Sequence, residues 1–229
     1  GLITIGLEPG MEAVELMQQR HLPFVTIDGR GGGGFPVVGI DDRAAAAEMM
    51  HHVLELGHRS IAIVGFVDEP QLAAASQVKG ERLAGYNEAL REWGLEEAVT
   101  FWECESSISG GREAMEALFE GGCKSTVVVA MSDVIALGVI EYLTDRGIPV
   151  PGEMSLVGFD DIPEASLIRP QLTTVCQHGF EKGQTAADTL VNLIARRPVA
   201  QNTILETRLA VRESSGPPSV RGSTPSRVG

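Results

Sequence analysis

Basic residues are outnumbered in this chain: 18 Lys and Arg stand against 31 Asp and Glu, leaving a net charge of −13. A surface so acidic repels a phosphate backbone, so no part of the chain reads as a nucleic-acid-binding face. Cysteines are few and scattered. Cys104, Cys123 and Cys176 form no C-x-x-C pair, and an odd count argues against a disulfide framework, so a reducing cytoplasm is the expected setting. No signal peptide opens the chain and no apolar run approaches the length that crosses a bilayer, so no membrane association is expected. The chain begins at Gly1 inside a strand candidate, without an initiator Met, and reads as a piece of a longer protein. There is no G-x-S-x-G nucleophile elbow. The run GRGGGGFP (29–36) lacks the Lys-Ser/Thr ending of a P-loop and opens no helix, so it reads as a flexible loop.

What is present is a globular composition, 43% hydrophobic with only 5% aromatic. Short β-rich runs alternate with amphipathic windows. Strands are expected at 2–7, 24–28, 60–66, 99–104, 125–131, 155–159, 172–175 and 204–213. Helices are expected near 10–20, 44–56, 80–93, 110–120, 133–146 and 179–195. In 44–56, Ala47, Met50, Val53 and Leu54 share one face, and Gly57 supplies the stop. Strands alternating with helices imply βαβ units and a mostly parallel α/β sheet, with ligands beyond the carboxyl ends of its strands. Those ends carry a polar set: Glu8, Asp28, residues 66–82, Cys104 with Glu105, Ser132 with Asp133, and Asp160 with Asp161. The closing SSGPPSVRGSTPSRVG (214–229) has no periodicity and reads as disordered.

Asp160 and Asp161 end the apolar run SLVGF. They suit a magnesium site, a pair in which one acid accepts from ligand hydroxyls while the other caps the turn before Pro163, or two turn acids without further role. Arg82 falls in the first turns of a helix, where a cation opposes the macrodipole and needs a compensating partner. Glu81 or Glu88 would serve structurally, and Asp160 or a ligand oxygen functionally. His51, His52 and His58 read as surface or capping residues, and no metal site or cofactor is expected.

The linked series RSIAIVGF, GERLAGYNEALREWGL, MSDVIALG, SLVGFDDIPEASLIRPQLTTVCQ and RLAVRESS resembles the effector-binding core of the lac repressor/galactose repressor family. The resemblance runs in order from Gly1 to about Ser215, and its G-F-D-D, P-Q-L-T-T-V and V-R-E-S words are specific. It implies two Rossmann-like subdomains of periplasmic-binding-protein type, joined by three crossovers and closing on a small molecule, often a sugar or nucleobase. The crossovers would fall near Asp41–Asp42, Cys176–Gln177 and Leu205. The first subdomain, incomplete here, would comprise 1–41 plus 177–204, the second 42–176 plus 205–215, and 216–229 a disordered tail.

By the same resemblance ligand contacts fall on Ser76, Val78, Arg82, Glu105, Ser132 and Asp160, with Asp28 beside them. Glu105 stands where relatives often carry a stacking aromatic, and Ser132 where Asn is common. Phe101 or Trp102 could supply a ring, although strand alternation favours a core role for both. A homodimer formed through 162–170 is implied, with operator DNA reached only through a headpiece absent from this sequence. The expected function is therefore effector sensing, without enzymatic activity, in a cytoplasmic transcriptional regulator. A periplasmic sugar-binding protein of a transport system is the alternative on the same architecture.

Overall fold

A computed structural model describes residues 1–6, 10–29, 34–67 and 77–219. Ser76, Glu8, the glycines at 31–33 and the tail from Val220 lie outside the described residues. Among the described residues, ten strands and seven α-helices run in the order β1 (Leu2–Ile5), α1 (Met11–Gln19), β2 (Phe24–Ile27), β3 (Val37–Ile40), α2 (Asp42–Glu55), β4 (Ile61–Phe66), α3 (Gln77–Glu92), β5 (Val99–Cys104), α4 (Ile108–Glu120), β6 (Val127–Ala130), α5 (Asp133–Asp145), β7 (Ser155–Asp160), α6 (Pro163–Leu167), β8 (Thr173–Cys176), α7 (Gly179–Ile194), β9 (Asn202–Leu205) and β10 (Arg208–Ala210). They build two sheets: a parallel one ordered β1-β2-β3-β9, and one ordered β10-β8-β7-β6-β4-β5 that is parallel except for β10. The fold is α/β, with two parallel-sheet subdomains.

The chain passes between the sheets three times: at Asp41 between β3 and α2, at Gln177–His178 between β8 and α7, and at Glu206–Thr207 between β9 and β10. The resemblance puts them near Asp41–Asp42, Cys176–Gln177 and Leu205; Leu205 itself pairs within the smaller sheet. The third pass divides what the sequence presents as one strand, 204–213. Ile204 and Leu205 pair with Gly39 and Ile40 in the smaller sheet, whereas Arg208–Ala210 pairs with β8 in the larger. Continuous β-propensity carries no mark of a change of sheet. Strand β3 was not foreseen either, because VVGI is short and follows a glycine-rich run.

Each sheet is covered on both faces. In the larger one, Met49, Met50, Val53, Leu54 and Leu90 of α2 and α3 cover Ile61, Ile63, Val127 and Val129, while Ala114, Leu118, Val139 and Leu143 of α4 and α5 cover Ala62, Val64, Val128 and Leu156. Successive strand residues thus point into opposite cores. In the smaller sheet Ala186, Leu190 and Leu193 of α7 pack on Val25, Ile27 and Val38, and Val14 and Met17 of α1 on Phe24, Phe35 and Val37. The inner face of α2 includes Ala45, Ala46 and Met49, while Ala47 is only half-buried. Gly57 ends that helix at φ 100°, donating to Leu54 O at 3.1 Å, as a left-handed stop requires.

Three expectations yield to packing. His58 is not a surface or capping residue: it is fully buried, with Nε2 donating to Gly216 O at 2.9 Å and Nδ1 2.8 Å from Thr126 Oγ1. Burial pushes its pKa down. The segment after Arg212 is not free at Ser214–Gly216. Ser214 Oγ accepts from Thr173 N at 2.8 Å and donates to Leu156 O at 2.6 Å, and Ser155 Oγ donates to Gly216 O at 2.9 Å. Phe101 and Trp102 are 38% and 39% exposed, because β5 is the edge strand.

Gly158 in β7 faces the Asp133 carboxylate so closely that a Cβ would overlap it, and would stand 2.8 Å from Leu172 Cδ2. Gly158→Ala is therefore expected to destabilise the protein by about 1–3 kcal/mol through overpacking. An unchanged urea midpoint would show that Asp133 can move away freely.

Candidate functional site

The carboxyl ends of β2, β3 and β7 meet where the chain crosses between the sheets, and charged side chains from both subdomains interlock there. Arg82, 4% exposed on α3, donates from Nε to Asp42 Oδ1 at 2.8 Å and from Nη1 to Met131 O at 2.5 Å. Its guanidinium lies 3.5 Å from the centroid of the Phe159 ring. Asp42, the first residue of α2, is thus the compensating partner that a cation near a helix N-terminus demands. Glu88 is not that partner, since it pairs with Arg43. Burial holds the Asp42 pKa above its usual value despite the opposing pull of Arg82.

Asp160 ends β7. Its Oδ1 accepts from Gln177 Nε2 at 2.5 Å and lies 3.8 Å from Arg82 Nη1. Gln177 Oε1 in turn accepts from Lys182 Nζ at 2.5 Å, and the same ammonium donates to Asp28 Oδ1 and Oδ2 at 2.8 and 2.9 Å. The result is a wall of polar side chains running Asp28, Lys182, Gln177, Asp160, Arg82, Asp42. Burial, reinforced by the nearby Asp133, lifts the Asp160 pKa to about 7, against the lowering influence of Arg82 and Lys182.

The turn after β7 has positive φ at two consecutive aspartates, 130° at Asp160 and 58° at Asp161. Such geometry persists only where neighbours over-determine it. Asp133 Oδ2 accepts from Ile162 N at 3.0 Å, its Oδ1 accepts from Thr174 Oγ1 at 2.6 Å, and Arg212 donates to Asp161 Oδ1 at 2.5 Å. Both acids beside Pro163 are thus engaged by donors within the fold. Asp160 and Asp161 both line a cavity of about 560 Å³, with Ile162, Pro163, Gln177, His178 and Phe180, but Asp161 is held there by Arg212.

A second cavity of about 280 Å³ lies beside Asp28 and Asp42, with Val78, Gln77 and Asn202 in its lining. The expected contacts therefore fall in different places. Asp160 faces the larger cavity, Asp28 and Val78 the smaller, and Arg82 is sealed within the wall between subdomains. Ser132 is buried as the cap of α5, its Oγ accepting from Ile135 N at 3.3 Å. Glu105 is exposed just past β5, and neither Ser132 nor Glu105 lines either cavity. Ser76 lies outside the described residues.

Asp42, Gln177 and Lys182 were missed as members of this cluster. Gln177 and Asp42 had been assigned to crossovers alone. Lys182 carried a readable signal: it precedes Ala186, Leu190 and Leu193 on the helical period that faces the sheet, so its charge had to be buried and paired.

Two α/β subdomains joined by three crossings, with a polar cluster where they meet, define a two-lobed core. The family model for the periplasmic binding protein-like domain matches residues 50–215. The chain is 34% identical over 221 residues to an HTH-type transcriptional regulator of Mycobacterium tuberculosis, covering 90% of this chain and 60% of that protein. It is 33% identical over 221 residues to HTH-type transcriptional regulator GalR of Escherichia coli, covering 94% of this chain and 62% of that protein. A LacI family transcriptional regulator from Enterococcus faecium, solved with bound ribose, superposes with a TM-score of 0.86 at 26% identity, covering 95% of this chain and 80% of the other. The chain belongs to the periplasmic binding protein-like domain family. It spans about 60% of the length of the curated relatives named here.

Proposed function

We propose that this chain is the effector-sensing and dimerisation core of a DNA-binding transcriptional regulator, and that its effector is a small polyhydroxylated molecule, a sugar or sugar derivative. The observation that carries this reading is the Asp160 carboxylate, presented to a 560 Å³ cavity at the junction of the two subdomains. Ligand hydroxyls donate to Asp160, while Arg82 fixes the wall behind it. Asp28 and Val78 extend the contact surface on the other side of that wall. The ribose bound to the Enterococcus faecium regulator supports a sugar as the ligand class. The transport alternative falls away, since the relatives on both sides of the comparison are regulators.

The two subdomains, divided near Asp41, Gln177 and Glu206, would close on the effector, with the three crossings absorbing the motion. For this to signal, the effector must favour one arrangement over the other, since equal affinity shifts nothing. Dimerisation through 162–170, operator binding through a headpiece and a cytoplasmic setting complete the proposal. Among the described residues, no helix is long and apolar enough to cross a membrane.

The test is a thermal-shift screen against ribose, galactose, polyols, amino sugars, sugar phosphates and nucleobases. One sugar is expected to raise the melting temperature, and Asp160→Ala to abolish that rise. No response from any sugar in a well-folded protein would overturn the reading.

A further inference from the structure

Lys182 is 2% exposed and occupies the fourth position of α7. A cation there opposes the helix dipole and must shed its water, so its presence demands strong acceptors. The ammonium has three protons, and three acceptors surround it: both oxygens of Asp28 and Oε1 of Gln177. This contact settles the orientation of the Gln177 amide on chemical grounds. With Oε1 held by a cation, a flipped amide would press NH₂ against NH₃⁺, so only the N–H side can face Asp160. Helix α7 packs on the smaller sheet, whereas Asp160 ends a strand of the larger one. The relay therefore crosses from one subdomain to the other.

We propose that Lys182 is a positioning residue for Asp160, acting across the subdomain boundary through the side-chain amide of Gln177. It presents Asp160 with a fixed N–H donor and places a positive charge behind that donor. Both favour the carboxylate over the carboxylic acid, and hence a site that accepts hydrogen bonds from ligand hydroxyls. The other charged groups around Asp160 are Arg82 from α3, Asp133 from α5, and Asp161, which Arg212 neutralises. Asp28 and Asp42 lie behind Lys182 and Arg82, and His178 and Glu181 line the same cavity. Of these, Arg82 and Lys182 favour the ionised form while Asp133 opposes it. The consequence for effector recognition rests on the function proposed above; the relay itself does not.

The test is a carboxyl ¹³C NMR titration of the ligand-free protein, with the Asp160 signal identified by its loss in Asp160→Asn. Lys182→Met is expected to raise the Asp160 midpoint by about half a unit or more, because it removes a favourable charge and frees the amide to flip. Lys182→Arg is expected to bring it back toward the wild-type value, which a role in packing alone would not do. Should Lys182→Met fail to fold, Gln177→Met interrupts the same relay from a more exposed position, and the same rise is expected. An unchanged midpoint in folded Lys182→Met or Gln177→Met, or no return in Lys182→Arg, overturns the proposal. A shifted midpoint in a protein that answers to no sugar supports the relay and removes the effector reading instead.

Discussion

Arg82→Met is expected to destabilise the protein by about 3–5 kcal/mol, the cost of leaving one partner of a buried ion pair uncompensated. Four losses coincide: the Nε bond to Asp42, the Nη1 bond to Met131 O, the charge beside Asp160, and the stacking on Phe159. Asp42 would then stay buried without a cation, and its pKa, already raised by burial, would climb further. A second substitution distinguishes this account from simple loss of packing. Asp42→Asn introduced into Arg82→Met removes the stranded charge, so the double variant is expected to recover part of the lost stability, as replacing both partners of a buried pair commonly does. Urea unfolding of the four proteins closes the cycle. A double variant no more stable than Arg82→Met would remove Asp42 from the account. Any loss of ligand affinity in Arg82→Met must therefore be separated from loss of fold, although the sequence presents this arginine as a ligand contact.

Asp160→Asn is expected to do the opposite, raising stability at neutral pH while weakening effector binding. With its pKa lifted to about 7 from an ordinary 3.8, the Asp160 carboxyl favours the fold most when protonated. Its contribution is complete below the unfolded pKa and is lost as pH rises through about 7. At about 1.4 kcal/mol per unit the whole change is at most about 4 kcal/mol, and the carboxylate's contact with solvent reduces it. In Asp160→Asn that decline should vanish, leaving a more stable protein at pH 7.5. His58 and His52 slope the other way, because burial depresses their pKa values and protonation below about pH 6.5 works against the fold. Stability curves of wild type and Asp160→Asn from pH 4 to 8, subtracted, isolate the aspartate. A flat difference curve would assign the pH dependence to Asp42 or Asp133, whose carboxyls burial also raises. For affinity, a lost charge-assisted hydrogen bond of about 1.5–3 kcal/mol means roughly a ten- to hundred-fold weaker effector. Together the two effects would describe a residue kept at a cost in stability for the sake of the proposed ligand.

Much of the fold is legible locally because β-branched runs and helical periodicity repeat along the chain. LITI, FVTI, IAIVGF, VVVA and SLVGFD are strands where apolar density says they should be, and six helices stand within a few residues of their expected places. The misses have a common cause. VVGI is a strand because β2 and β9 flank it, TRLA leaves the sheet of NTIL because β8 offers an edge, and His58 is buried because Gly216 returns to meet it. Each depends on a partner distant in sequence. The candidate site divides the same way. Asp160 stood out as an acid at a strand end, whereas Lys182 acquires its meaning only from Asp28, 154 residues away.

The sequence by itself determined the alternating α/β order and the strand ends at which polar residues collect, because periodicity is written within short windows, and its linked motifs pointed to the family. Tertiary structure alone decided which acid pairs with which base. Arg82 could have met Glu81 or Glu88; it donates to Asp42 at 2.8 Å and lies 3.8 Å from Asp160, because α2 and α3 pack side by side on one face of the sheet. Of the two acids lining the larger cavity, Asp161 is bound to Arg212, while burial raises the pKa of Asp160. Charge pairing in a low-dielectric interior is a property of distance and solvent access, and neither is written in any single stretch of the chain.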